Sequence, residues 1–238
     1  MKLILNGGGS GAQIKESLQL FAKLVNGGKV LYIPFAWKDE TYAGCLEWLL
    51  GELQPYGIHH IEMVTAPEQI TKEKLKSVQG VFIGGGNTYK LLKMLKESQA
   101  YGNLKDYMAQ PNAVIMGGSA GALIFGKSID TCLDDGSQLK HICDVNLVGL
   151  EDTTGFNCLH GFSILPHYQK LAEQNTLTEI RVNRLLKEGY KLICIPEETS
   201  IFINNDTISI VGSKPAAVFT KNREIRNIQN EEISYLNK

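Results

Sequence analysis

The sequence predicts an α/β protein with a mostly parallel sheet, and three features support this prediction. Short apolar runs that end in glycine or proline alternate with segments in which apolar residues recur at helical spacing. The strand-like runs are apolar throughout, as in strands that are buried on both faces of a parallel sheet. The length of 238 residues suits one sizeable core, so we expect a single domain over residues 1–238.

Five strand-like runs and four helix-like segments fill the first half of the chain. In the helix-like segments apolar residues recur every three or four positions, which places them on one side of a helix. Pro34 ends the second strand, and Pro55-Tyr56-Gly57 ends the second helix. The strands are predicted at Leu3–Leu5, Val30–Ile33, Ile61–Val64, Val81–Ile83 and Ala113–Met116, and the helices at Gln13–Val25, Tyr42–Leu53, Thr88–Leu95 and Ala122–Phe125.

The C-terminal part has short apolar runs with brief connections. Asn204-Asn205-Asp206 has the composition of a hairpin turn. We therefore expect antiparallel strands that extend the parallel sheet near the C-terminus. They are predicted at Leu192–Ile195, Ser200–Ile203, Thr207–Val211, Ala217–Phe219 and Glu224–Ile228.

Composition excludes several classes of partner. The net charge of −1 provides no basic field for a phosphate backbone, so we expect no nucleic-acid partner. The five cysteines include no C-x-x-C pair, which is typical of reduced thiols in a cytosol. The first residues lack the apolar stretch of a signal peptide, and no run approaches the roughly 20 apolar residues of a membrane span. A cytoplasmic protein without a membrane partner is expected.

The turn Gly117-Gly118-Ser119-Ala120-Gly121 is the most informative motif. It fits G-x-S-x-G between a predicted strand and a predicted helix, the context that gives this motif meaning. Small residues allow a sharp turn that presents the Ser119 hydroxyl at a helix N-terminus, where backbone N–H groups stabilise negative charge. A serine that merely caps the helix is the alternative. Because strand and helix both flank the motif, we favour a nucleophile.

Two further glycine-rich turns follow strands and would share the carboxyl edge of the sheet, where ligands bind in open α/β folds. Gly84-Gly85-Gly86-Asn87-Thr88 suits an oxyanion hole or a phosphate cradle equally well. The turn Gly7–Ala12 fits the dinucleotide fingerprint G-x-G-x-x-A. The second strand lacks the acidic residue at its tip that this fingerprint requires. A nucleotide-binding (NAD-type) oxidoreductase or module is nevertheless the rival function.

A serine nucleophile needs a general base, and His167 is the best placed of the five histidines. It follows a proline at the end of the strand-like run Gly161–Pro166. The base in turn needs an orienting acid, and Glu197 follows the strand that ends at Ile195. Asp130, Asp134, Asp135 and Glu198 are the other candidates. The sequence contains no H-E-x-x-H or comparable cluster, so we expect no metal and no cofactor.

At these residues the chain resembles the peptidase E (aspartyl dipeptidase) and cyanophycinase family of serine peptidases. The matching segments occur in the family's order across most of the chain and are more specific together than any single turn. They are Tyr32-Ile33-Pro34-Phe35-Ala36, Phe82-Ile83-Gly84-Gly85-Gly86-Asn87-Thr88, Gly118-Ser119-Ala120-Gly121-Ala122, Leu165-Pro166-His167-Tyr168 and Ile195-Pro196-Glu197.

The resemblance implies a three-layer αβα fold similar to class I glutamine amidotransferases, and a possible homodimer. It implies that Ser119 is the nucleophile and His167 the base. Glu197 matches the family's acid, and Asp134 matches an aspartate also proposed for that role. The remaining site predictions are the backbone N–H groups of Gly86 and Ala120 as the oxyanion hole and the side chains of Asn87 and Arg181 as substrate contacts.

The chain departs from the resemblance at one position. Members that cleave after an N-terminal aspartate carry an arginine early in the helix that follows the histidine, and this sequence has Thr178 there, with Arg181 and Arg184 further on. The predicted function is a serine exopeptidase (dipeptidase) for short peptides, with an acidic or small N-terminal residue preferred. A catalytically inactive, ligand-binding relative is the further alternative.

Overall fold

The computed structural model describes residues 1–133, 143–168 and 175–233. Its larger sheet has seven strands in the order β3-β2-β4-β5-β1-β8-β9. The first five of these are mutually parallel, and β8 and β9 add antiparallel strands at one edge. Their bounds are β1 Lys2–Asn6, β2 Val30–Ile33, β3 Ile61–Met63, β4 Gly80–Ile83, β5 Val114–Gly118, β8 Thr199–Asn204 and β9 Thr207–Gly212.

Helices cover both faces of this sheet, which gives the predicted three-layer αβα arrangement. The apolar side chains of β1 divide between the two faces: Leu3 and Leu5 pack in one core, and Ile4 packs in the other. Because both faces are buried, the strands read as continuous apolar runs in the sequence. The helices are α1 Lys15–Val25, α2 Tyr42–Leu53, α3 Lys72–Lys76, α4 Thr88–Lys96, α5 Ala100–Met108, α6 Ala120–Leu123 and α7 Asn175–Lys187.

The C-terminal strands correct one part of the sequence prediction. Only β8 and β9 extend the main sheet, whereas the other C-terminal strands form a second sheet in the order β11-β10-β7-β6. Ile193 of β7 packs in the large core, and its neighbours Leu192 and Cys194 pack in a separate cluster with residues of α7. The bounds are β6 Phe162–Leu165, β7 Lys191–Cys194, β10 Ala216–Thr220 and β11 Arg223–Ile228.

The order of the main sheet brings the three glycine-rich turns together, as predicted. Strands β4, β5 and β1 are neighbours and parallel, so their carboxyl ends meet at one edge. In the described part of the chain, no helix is long and apolar enough to cross a membrane. The edge formed by β4, β5 and β1 is where the candidate site lies.

Candidate active site

Ser119 stands at a sharp bend between β5 and α6. Its backbone has φ 51° and ψ −112°, a region that residues with side chains rarely occupy and that costs about 1–3 kcal/mol. The Ser119 N–H donates to the backbone carbonyl of Asn6 at 3.0 Å, and its own carbonyl accepts from Ala122 and Leu123 in the first turn of α6. The predicted strand–turn–helix context of the serine is confirmed.

Two glycines permit this bend because backbone atoms occupy the space where side chains would be. A Cβ on Gly117 would lie closer than 3.0 Å to the carbonyl of Gly121, and a Cβ on Gly121 would lie equally close to the carbonyl of Ile83. Real Cβ atoms essentially never show such separations. The two outer glycines of the motif therefore allow β5, α6 and the end of β4 to approach one another closely.

His167 lies beside the serine hydroxyl. The structure places its Nε2 2.9 Å from Ser119 Oγ, and the side chain is 15% exposed. The backbone of His167 is left-handed, with φ 55°, and its N–H donates to the carbonyl of Gly7 at 3.2 Å. A Cβ on Gly8 would overlap the imidazole ring. The first glycine turn thus makes room for this ring.

Glu197 contacts the other nitrogen of the same imidazole. Its Oε1 lies 2.8 Å from His167 Nδ1, and its side chain is 4% exposed. Gln13 Nε2 donates to Glu197 Oε2, and Asn6 Nδ2 donates to the Glu197 backbone carbonyl at 3.1 Å. Gln13 and His167 therefore hold the two carboxylate oxygens, and Asn6 holds the backbone of the same residue. Nδ1–H donation to Glu197 would leave Nε2 as the acceptor for the serine proton.

The predicted oxyanion-hole donors are the backbone N–H groups of Gly86 and Ala120. Gly86 lines the same cavity as Ser119, and Ala120 is the first residue of α6. Within the described residues, neither N–H has a hydrogen-bond acceptor. A Cβ on Gly86 would overlap the backbone of Ala36, which explains why glycine occupies this position. Both groups are suited to receive a developing negative charge.

The structure does not bring every predicted site residue to this point. Asn87 caps α4 by accepting from the Lys90 N–H, and its amide donates to the Val145 carbonyl. Arg181 is 2% exposed, and its guanidinium donates to the carbonyls of Thr131 and Leu133. Neither side chain lines the cavity beside Ser119. The predicted substrate contacts of these two residues are not supported, because both side chains hold the protein backbone instead.

The other candidate acids and bases lie elsewhere or outside the described residues. Asp130 accepts hydrogen bonds from Ser128, Thr153 and Tyr190, so its carboxylate connects its own loop to two distant segments of the chain. The described histidines His59, His60 and His160 are exposed. Asp134, Asp135 and His141 fall outside the described residues.

The first glycine turn does not form the predicted nucleotide cradle. Its Gly8 faces the His167 ring, and its Gly9 faces Gln13 and Glu197. A phosphate group would need the space that these side chains fill. The dinucleotide interpretation of Gly7–Ala12 loses its physical basis, since Gly8 and Gly9 accommodate protein side chains and Gly7 accommodates the backbone carbonyl of Pro196. Among the residues that the structure describes, no three His, Cys, Asp or Glu side chains converge as metal ligands would.

A cavity of about 520 Å³ opens beside Ser119. Its walls come from the glycine turns, from the sheet residues Tyr32, Phe82 and Met116, and from Ile14, Trp37 and one side of α2. Burial raises the pKa of the Tyr32 hydroxyl, so this wall carries no phenolate at neutral pH. Sequence reasoning missed both Gln13 and this cavity, although both tryptophans of the chain line it.

The sequence as a whole decides the family. A model of peptidase family S51 matches residues 3–211. The chain belongs to peptidase family S51. It is thus a serine-type peptidase and a hydrolase, which confirms the resemblance seen in the sequence.

Named relatives of this S51 chain extend over most of its length. A probable alpha-aspartyl dipeptidase of Drosophila melanogaster is 26% identical over 221 residues, which cover 90% of this chain and 85% of the relative. A peptidase E of Shewanella denitrificans is 26% identical over 201 residues, covering 82% and 79% of the two chains.

Solved structures show the same fold. A peptidase from an acI-B1 Actinobacterium superposes with a TM-score of 0.73 at 18% identity, over 98% of this chain and 96% of the other. A putative peptidase E from Listeria monocytogenes EGD-e gives a TM-score of 0.67 at 24% identity, over 89% and 98%. At these identities the likeness concerns the fold alone.

Proposed function

We propose that this chain is a serine exopeptidase that hydrolyses dipeptides or other short peptides through an acyl-enzyme intermediate. The observation that supports it most is the continuous contact from Ser119 Oγ through the His167 ring to Glu197 Oε1. The names of the relatives, peptidase E and probable alpha-aspartyl dipeptidase, favour a dipeptide substrate.

In this mechanism Ser119 Oγ attacks the scissile carbonyl while His167 Nε2 accepts its proton. The carbonyl oxygen becomes negative and receives hydrogen bonds from the N–H groups of Gly86 and Ala120, each worth about 2.7–4 kcal/mol in the transition state. His167 then protonates the leaving amine, and water hydrolyses the acyl-enzyme by the reverse proton transfers. Glu197 holds the imidazole in the required tautomer.

The test is the Ser119→Ala variant of the full chain, assayed with a panel of dipeptides and with a fluorophosphonate probe. Turnover should fall by on the order of 10⁶-fold, as when other serine peptidases lose the nucleophile, and labelling should disappear. Ser213→Ala, a change at an exposed serine outside the site, should keep both signals. Unchanged dipeptide cleavage by Ser119→Ala would contradict the proposal, and an unlabelled wild-type protein would favour an inactive relative.

Several finer expectations stay predictions. They are the single domain, the homodimer and the cytoplasmic location, while the expected preference for an acidic or small N-terminal residue is revised below. Glu197 is the orienting acid of this proposal because its contact with His167 lies within the described residues. The substrate preference is taken up next, because the cavity beside Ser119 bears on it directly.

A further inference from the structure

The cavity beside Ser119 is aromatic and apolar. Its inner wall contains Tyr32, Phe82 and Met116, which are 1–2% exposed. Trp37 and Trp48 line the same cavity and are 49% and 37% exposed, so they form its outer part. Partly exposed tryptophans at the mouth of a preformed apolar pocket are typical of a binding site rather than of a folding core.

Three of the aromatic rings that line the cavity pack against one another. The rings of Trp48 and Phe82 are 6.2 Å apart at 63°, and those of Tyr32 and Phe82 are 5.9 Å apart at 65°. Both are edge-to-face pairs, the geometry that aromatic side chains prefer. Tyr32, Phe82 and Trp48 therefore form one continuous aromatic wall.

No charged side chain lines the cavity among the described residues. Three charged side chains near these walls have partners in the protein: Lys90 donates to the Trp37 carbonyl and pairs with Asp39, and Glu52 accepts from the Gly11 N–H. A ligand carboxylate placed in the cavity would lose its hydration without gaining a cationic partner from the described residues, which is strongly unfavourable. An apolar side chain would gain from the same burial.

We propose that this cavity is the specificity pocket of the peptidase and that it takes a large apolar or aromatic side chain next to the scissile peptide bond. The proposal rests on the proposed function for the position of that bond at Ser119. It replaces the preference for an acidic or small N-terminal residue that the sequence predicted. The pocket accommodates a residue on either side of the bond, so both positions are tested.

The first test measures kcat/KM on two dipeptide series, X-Leu and Ala-X, with X as Phe, Leu, Ala or Asp. In one series Phe or Leu should exceed Ala by about tenfold to hundredfold, the effect of burying one such side chain. Asp should be the poorest residue of that series. The responsive series identifies the side of the bond that the cavity serves. A preference for Asp, or equal rates in both series, would overturn the proposal.

The second test measures binding without hydrolysis in the Ser119→Ala variant. Both tryptophans of the chain line the cavity, so their fluorescence reports on its occupancy. Dipeptides with Phe or Leu should give a saturable change, and their Asp counterparts should give none. Such a response without wild-type hydrolysis would leave this inference standing while the proposed function fails. Hydrolysis led by Asp dipeptides would overturn this inference alone.

A third test fills the cavity from helix α2. Gly44 lines the cavity, and a Cβ added there would meet no described heavy atom within 4 Å. Gly44→Leu should therefore fold and should lower kcat/KM for the Phe dipeptide at least tenfold more than for the Ala dipeptide. Gly51→Leu is the matched control, because Gly51 has equal space in the same helix and does not line the cavity. Equal losses on both dipeptides in Gly44→Leu would contradict the proposal.

Discussion

The glycine turns after β1 and after β5 have similar sequences and different tasks. After β5, Gly117 and Gly121 leave space for backbone carbonyls, so that turn brings chain segments together and strains the serine between them. After β1, Gly7 also leaves space for a backbone carbonyl, that of Pro196, but Gly8 and Gly9 leave space for side chains, chiefly the His167 ring. The difference shows that a glycine fingerprint indicates only that other atoms lie very close to the backbone of the turn. Whether those atoms belong to a side chain or to another backbone segment depends on distant parts of the chain.

The largest expected effect is that of Gly121→Ala, which tests the turn after β5. The new Cβ would overlap the Ile83 carbonyl, and a backbone carbonyl has no alternative rotamer. We expect a loss of about 3 kcal/mol in the free energy of unfolding, together with loss of turnover. Urea denaturation measures the first. Gly118→Ala is the control for stability, since its Cβ would meet no described heavy atom within 4 Å.

Glu197→Gln should come next and should act on catalysis rather than on the fold. The amide keeps the size of the side chain but no longer stabilises a protonated His167. We expect kcat to fall on the order of 10⁴-fold, the loss known for serine peptidases whose base is left in the wrong tautomer. Steady-state kinetics on the best dipeptide measure it. A variant with near wild-type kcat would show that the carboxylate beside His167 has no catalytic part.

Gly8→Ala tests the claim that the turn after β1 leaves space for the imidazole ring of His167. The methyl group would displace the His167 ring, and a shift of about 1 Å in a catalytic group costs on the order of 100-fold in rate. Gly11→Ala is the control: it has φ 56° and meets no described heavy atom, so it should lose about 1 kcal/mol of stability and keep its rate. A nucleotide-binding turn would instead leave peptide cleavage unchanged in both variants.

Gln13→Ala should have the smallest effect of these variants. It tests a further contact made just after the glycine turn that follows β1. Gln13 contacts Glu197 and the backbone N–H of Ser10 but no reacting atom, so it is a positioning residue. We expect kcat to fall about tenfold, the effect of one hydrogen bond to a charged group, with KM and thermal stability unchanged. If KM rose while kcat held, Gln13 would contact the substrate instead.

Local patterns predicted most of the main sheet. The bounds of Val30–Ile33 and Tyr42–Leu53 match the structure to the residue. Helices α3 and α5 were missed, the first because it has only five residues and the second because Gly102 and its polar neighbours have low helix propensity, although the buried residues Ala100, Leu104, Tyr107 and Met108 keep helical spacing. The second sheet was missed because strand pairing depends on distant partners that local periodicity does not reveal.

The site was predicted in part for the same reason. Ser119, His167 and Glu197 each follow a strand, so position at the sheet edge pointed to them. Gln13 precedes α1 and contacts Glu197 across 184 positions of sequence, a pairing that no local motif signals. The cavity was missed because its wall comes from several elements. The helical spacing of Thr41, Gly44 and Trp48 was its one local sign.

Because of the positive φ of Ser119, thermal stability and catalytic turnover make opposite demands on this one residue. Glycine at this position would adopt the same backbone angles without strain. Ser119→Gly would therefore give a more stable protein that lacks the nucleophile. A selection for thermotolerance alone would therefore reward the loss of the enzyme. Any improvement of this peptidase by directed evolution has to screen each round for product formation as well as for survival on heating.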